Sequence, residues 1–136
     1  MSNEPSRPLP LPSPESAPWW EGLRQGRLLL QTCKSCGLVR HPPRWLCDAC
    51  LDSAVEWRPA SGHGRVHSWT VIHHAFHPSF VVDLPYVLII ADLAEGVRLQ
   101  APLRGAGADQ LTLGRAVRVV FESAADGWVL PAFELA

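Results

Sequence analysis

The sequence predicts a mostly β protein with one short helix near its N-terminus, and three observations carry that reading. Five apolar runs follow residue 59, namely GHGRVHSWTVIHH, PYVLIIADL, VRLQAPL, RAVRVVFES and WVLPAFEL, each bounded by turn-forming residues. All four cysteines lie in one stretch, CKSCGLVRHPPRWLCDAC, as two C-x2-C pairs ten residues apart. Ahead of them, six of the first eighteen residues are proline, and the text then changes abruptly to PWWEGLRQG.

Proline fixes φ and removes a donor, so residues 1–18 are expected to form a disordered or extended tail. Helix follows where Pro18 can sit in a first turn and Trp19, Trp20 and Leu23 recur among polar residues, ending near Gly26. Two turns are marginal in isolation, so this helix must pack on something. Adjacent tryptophans point about 100° apart on a helix. One is therefore free to face the core while the other meets a partner.

Two C-x2-C pairs at this spacing are the pattern of a zinc ribbon, each pair on a tight knuckle. Four thiolates fill the tetrahedral shell of one Zn2+ and leave no open position for water or substrate, so the predicted metal is structural. Gly37, after Cys36, suits a left-handed knuckle residue; Leu51, after Cys50, must manage without that freedom. A lobe this small cannot bury enough apolar surface to fold unaided, which is the reason for a metal. Four thiolates with Zn2+ carry −2, which Lys34, Arg40 and Arg44 can offset. A redox dithiol fits less well, because it calls for one C-x-x-C at a strand–helix junction.

The five later runs read as strands, with EG and DG as tight turns between the second and third and between the fourth and fifth. Five short strands fit a small closed Greek-key barrel of the OB type better than an open sheet with bare edges. GAGADQLTLG stands where such barrels carry their one helix, but is too short and glycine-rich for more than a turn. The domain reading is a tail over 1–18, helix and zinc ribbon over 19–58, and an OB barrel over 59–136.

Composition, at 47% hydrophobic and 18% charged residues, is that of a soluble globular protein. No secretory signal opens the chain and no apolar run reaches membrane-spanning length, so the expected compartment is the cytoplasm, with no membrane association. Net charge is −1 with no basic stripe, which argues against a nucleic-acid binder. A single-stranded nucleic-acid-binding OB protein remains the alternative function, although LIIADL and VRLQAPL offer no aromatic stacking platform.

Five of the six histidines fall between His63 and His77, yet no Asp or Glu lies among them to complete a second metal site. The connecting segment HHAFHPSFVVDLPY, with its histidines, Phe76, Phe80 and Tyr86, reads instead as a recognition loop. There is no spare cysteine, no G-x-S-x-G turn and no phosphate-cradling loop, so no catalytic residue is assigned. A self-sufficient enzyme acting through the histidine loop is the third reading.

The order of motifs, W-W-E-G-L-R-x-G-R-L, L-Q-x-C-x-x-C-G, R-H-P-P-R, a second C-x-x-C, V-x-W, S-G-x-G-x-V-x-S-W-T and H-H-A-F-H-P-x-F, resembles a known family over residues 19–136. This is the zinc-ribbon plus OB-fold family catalogued as domain of unknown function thirty-five. The resemblance implies a rubredoxin-like ribbon holding one structural Zn2+ per chain through Cys33, Cys36, Cys47 and Cys50. It also implies an accessory, non-catalytic role beside a thiolase-superfamily partner that cleaves carbon–carbon bonds in acyl-CoA substrates, as thiolase or retro-aldolase. Trp19, Trp20, Arg24, His73, His74, Phe76 and His77 match family motifs and are expected at the partner or acyl-CoA interface. Some relatives are fused to a hydratase domain; this chain is too short for one, so a separate subunit in a two-plus-two heterotetramer is expected.

Overall fold

The computed structural model describes residues 6–136, and the expected Pro-rich tail falls partly outside them. Residues 6–16 form no helix or strand, but Arg7 pairs with Asp83 and lies over the Phe80 ring, 4.7 Å from its centroid. One helix, α1 (Ala17–Arg24), precedes eight strands. The first three are β1 (Leu29–Cys33), β2 (Val39–Arg40) and β3 (Val55–Pro59). The rest are β4 (His63–Ile72), β5 (Tyr86–Leu93), β6 (Arg98–Pro102), β7 (Ala116–Ser123) and β8 (Val129–Leu135).

The helix ends where its sequence says it should. Gly26 adopts a left-handed φ of 71°, its N–H bonds the Leu23 carbonyl at 3.0 Å, and the Arg27 N–H reaches back to Gly22 at 2.8 Å. This paired closure satisfies carbonyls that a helix end otherwise leaves bare. Gly22 has a second reason to lack a side chain. A Cβ there would come within 2.8 Å of the Leu29 side chain, so α1 lies directly against β1.

The first sheet has the order β2-β1-β3 and forms the zinc-ribbon lobe. The second has the order β6-β5-β4-β7-β8, all antiparallel between neighbours. A parallel bridge between Leu103 and Phe133, with the Arg104 N–H bonded to the Phe133 carbonyl at 2.8 Å, closes that sheet into a barrel. Closure removes the bare edges that an open sheet would expose. The predicted five-stranded OB barrel is therefore present, and GAGADQLTLG supplies only a single 3-10 turn, Ala108–Gln110. The DG turn is also as expected, with Asp126 and Gly127 both at positive φ (57° and 76°), the pairing that matches hairpin twist.

Alternation decides what enters the barrel. Val87, Ile89, Ala91 and Leu93 of β5 point inward, as do Leu99 and Ala101 of β6, where they meet Val66, Val117 and Phe133. Trp19, Leu23, Leu28 and Leu30 belong to the same buried cluster, so helix, ribbon and barrel share one core. Among the described residues no helix is long and apolar enough to cross a membrane.

His41 joins the ribbon to that core, its ring tilted 43° against Trp19 with centroids 4.5 Å apart. Burial disfavours its charged form and lowers its pKa to about 4. Below the ordinary imidazole range the unfolded chain binds the proton first, so stability falls as pH drops from about 6.5 toward 4. Expected outcome: His41→Phe, keeping the aromatic contact with Trp19, shows a shallower fall in melting temperature than the parent across that window, at equal zinc loading.

Candidate metal centre and exposed recognition loop

Two equivalent knuckles build the metal centre. In the first, the Gly37 N–H donates to the Cys33 carbonyl (2.9 Å) and the Cys33 N–H to the Leu38 carbonyl (2.9 Å). In the second, the Leu51 N–H donates to the Cys47 carbonyl (2.8 Å) and the Cys47 N–H to the Asp52 carbonyl (2.9 Å). Gly37 takes φ 79° and Leu51 φ 66°, so the second knuckle keeps the same geometry with a leucine in the left-handed region. That conformation costs a non-glycine residue roughly 1–2 kcal/mol.

The knuckles bring the Sγ atoms of Cys33, Cys36, Cys47 and Cys50 within 4.8 Å of one another. Cys33 and Cys50 lie 3.5 Å apart, as do Cys36 and Cys47. A disulfide needs about 2 Å. Tetrahedral zinc with bonds of about 2.3 Å sets its sulfurs slightly under 4 Å apart. The donor set and its spacing therefore fit one Zn2+.

The thiols also sit in an environment made for anions. Backbone N–H groups of Cys36 and Ser35 hold the Cys33 thiol down at about 6. Those of Cys50 and Ala49 lower Cys47. At Cys50 the help from the Asp52 N–H is overcome by the neighbouring Cys33 sulfur and by burial, which push the thiol up to about 12. Cys36 is raised as well, because the Cys47 sulfur and burial outweigh the Leu38 N–H. Four thiolates repel one another at this separation, and a dication removes the conflict. Among the described residues this is the cluster of three or more such side chains able to hold a metal.

The remaining predicted site residues divide. Trp19 is only 5% exposed and packs mainly inside this chain, against His41 and the shared core. Trp20 is half-buried, edge-on to Trp128 at 5.8 Å, and Arg24 lies over the same Trp128 ring at 4.3 Å. These contacts tie α1 to the barrel hairpin, a role for Trp128 that its position in a strand run did not reveal.

The histidine loop forms a separate patch. The Ser79 N–H donates to Nδ1 of His77 (3.2 Å), with the Ser79 hydroxyl 2.7 Å from the same nitrogen, so His77 caps the 3-10 turn Pro78–Asp83. His73 and His74 are exposed, and Phe76, edge-on to His74, is 81% exposed. Val81 and Val82 are exposed too, and no residue of that turn is buried. The sequence signal for the valines was present in SFVVD, but an apolar pair next to a strand usually faces inward.

Two family models match the chain, a "ChsH2, rubredoxin-like zinc ribbon domain" over residues 20–56 and a "ChsH2, C-terminal OB-fold domain" over 57–122. A "DUF35 domain-containing scaffold protein" of Methanocaldococcus jannaschii is 31% identical over 104 residues, covering 75% of this chain and 73% of that protein. The chain belongs to the DUF35 family. A solved structure titled "Ltp2-ChsH2(DUF35) aldolase" superposes with a TM-score of 0.85 at 35% identity, over 93% of this chain and 98% of that one. A "Probable enoyl-CoA hydratase alpha subunit" of Thermomonospora curvata is 36% identical over 127 residues, 93% of this chain. This DUF35 chain spans only 39% of that relative's length.

Expected outcomes follow for the DUF35 metal centre. Metal analysis should return about one zinc per chain, and Cys47→Ser or prolonged chelation under reducing conditions should unfold the ribbon, read by loss of near-ultraviolet circular dichroism. Leu51→Gly should stabilise the zinc form by about 0.5–1 kcal/mol, the relief of left-handed strain less the added freedom of the unfolded chain. Denaturant unfolding measures that gain.

Proposed function

We propose that this chain is a non-catalytic, zinc-stabilised subunit of an acyl-CoA-processing complex. Its partner is a thiolase-superfamily protein that performs carbon–carbon cleavage, thiolytic or retro-aldol, in a two-plus-two assembly. The observation that carries the reading is the contrast between a sealed four-thiolate centre and an exposed apolar loop. A closed tetrathiolate offers no position for substrate. His77 is engaged in capping, while His73 and His74 have no carboxylate partner among the described residues to tune them as acid or base.

Phe76, Val81 and Val82, by contrast, project where a monomer gains nothing from apolar side chains. Aromatic and aliphatic anchors ringed by polar groups are the composition of a protein interface. In this reading the loop from His73 to Asp83 seats on the catalytic partner near its acyl-CoA entrance. The membership of a DUF35 chain in a structure titled an aldolase, and the naming of a relative as a hydratase subunit, support a catalytic companion.

The deciding experiment co-expresses this chain with a thiolase-like candidate, preferably one encoded beside it. Copurification, with cleavage activity lost when this chain is omitted, is the expected result. A partner equally active and stable alone would refute the proposal, and salt-sensitive retention of a single-stranded oligonucleotide would favour the nucleic-acid reading instead. Phe76→Ser combined with Val82→Asp should weaken the complex about a hundredfold. The same variant should leave the melting temperature of the isolated chain nearly unchanged, because both side chains are exposed.

A further inference from the structure

Arg40 is the one cation of the ribbon that the fold buries, at 5% exposure, whereas Lys34 and Arg44 stay exposed. Its Nε donates to the Gln31 Oε1 at 2.6 Å, and its Nη2 lies 3.4 Å from the Arg44 carbonyl. Its Nη1 is buried and has no hydrogen-bond partner. Nor does any carboxylate among the described residues pair with it. The nearby cleft between ribbon and barrel holds Asp48 and Asp92, but Asp48 pairs with Arg44 (3.6 Å) and Asp92 with Arg98 (2.9 Å) and His67 (3.3 Å). A buried guanidinium without a counter-charge is costly, so its compensation must come from something else in the folded protein.

Strand register says where that charge is. Gln31 stands directly opposite Arg40 across β1 and β2, so their side chains share a face. Cys33, two residues beyond Gln31, lies on that same face because side chains alternate with period two. The Gln31 amide then binds the return loop to the second knuckle, accepting from the Arg44 N–H at 2.9 Å and donating to the Arg44 carbonyl at 3.0 Å. Arg40, Gln31 and Cys33 thus share one face of the ribbon sheet, which Gln31 ties to the loop leading to Cys47. Nη1 itself is shut off from solvent, and although Arg40 lines the ribbon–barrel cleft, both carboxylates there are already paired, which leaves the thiolates as the anions on its own face.

We propose that Arg40 is the buried counter-cation of the zinc–tetrathiolate centre, a positioning residue whose charge offsets the −2 of four thiolates and one Zn2+. Gln31 is the bracket that aims it. Outer-shell partners of this kind typically change metal affinity 10–100-fold when removed.

The test separates charge from packing. Arg40→Met keeps volume without charge, and Arg40→Lys keeps charge without the fork. In competition with a chromophoric chelator under reducing conditions, R40M should bind zinc at least about tenfold more weakly, and R40K within about threefold of the parent. With Co2+ in place of zinc, the sulfur-to-metal charge-transfer band should move to lower energy in R40M and hold its place in R40K. A nearby cation stabilises sulfur lone pairs, and a packing role would not move the band. Equal losses in R40K and R40M, or an unmoved band in R40M, would overturn the proposal. If R40M does not fold, R40Q replaces it. Folding by R40K when both neutral variants fail supports the charge requirement, and failure of all three overturns it.

Discussion

Convergence of four sulfurs on one point is the constraint from which the rest of the molecule hangs. The ribbon has a two-residue strand, β2, and a five-residue strand on each side of the knuckle region, too little surface to hold a lobe together by burial alone. Tying Cys33 and Cys36 to Cys47 and Cys50 closes the loop between β1 and β3 and fixes the path of residues 41–46. His41 then reaches Trp19, and the Gln31–Arg40–Arg44 network locks the return. Leu51 accepts a left-handed backbone in the same cause, because the second knuckle needs that turn whatever residue occupies it.

The helix turns this local closure into a shared core. Its buried face offers Trp19 and Leu23 to a cluster that also contains Leu30 of the ribbon and Leu99, Ala101 and Phe133 of the barrel. Its other tryptophan rests on Trp128 under the Arg24 guanidinium. Dispersion and aromatic contacts of this sort are individually small, but they act at three places on an eight-residue helix. The ribbon and the barrel are consequently held in one frame, and a loop projecting from that frame can present side chains in a fixed arrangement. Pre-organisation of this kind lowers the ordering cost of association.

The same frame keeps the thiol centre apart from the exposed histidine-rich loop. The thiols are the strongest reactive groups in the chain, and their geometry commits them to a closed shell. In the histidine-rich loop, His77 caps a turn through its Nδ1. The loop also has apolar surface, and Arg7 lies over it through Phe80 and Asp83.

Much of this was legible in the residues alone. The zinc ligands, the five barrel strands, the DG hairpin and the end of the helix at Gly26 all depend on spacing or backbone preference within a few residues, and local physics acts on them directly. Other features depend on sums over distant residues. The adjacent Trp19 and Trp20 are indistinguishable until Leu23, His41 and Trp128 are in place around them. Lys34, Arg40 and Arg44 are equivalent as charges until the pairing of Gln31 with Arg40 buries one and leaves two in water. Val81 and Val82 lie in a segment whose composition does not say which side chains face out, until a 3-10 turn with no buried residue carries them outward. Sequence determined the elements and the metal because those are short-range; only tertiary structure decided which face of each element meets the core, the metal or the outside, because burial is set by whatever the rest of the chain brings alongside.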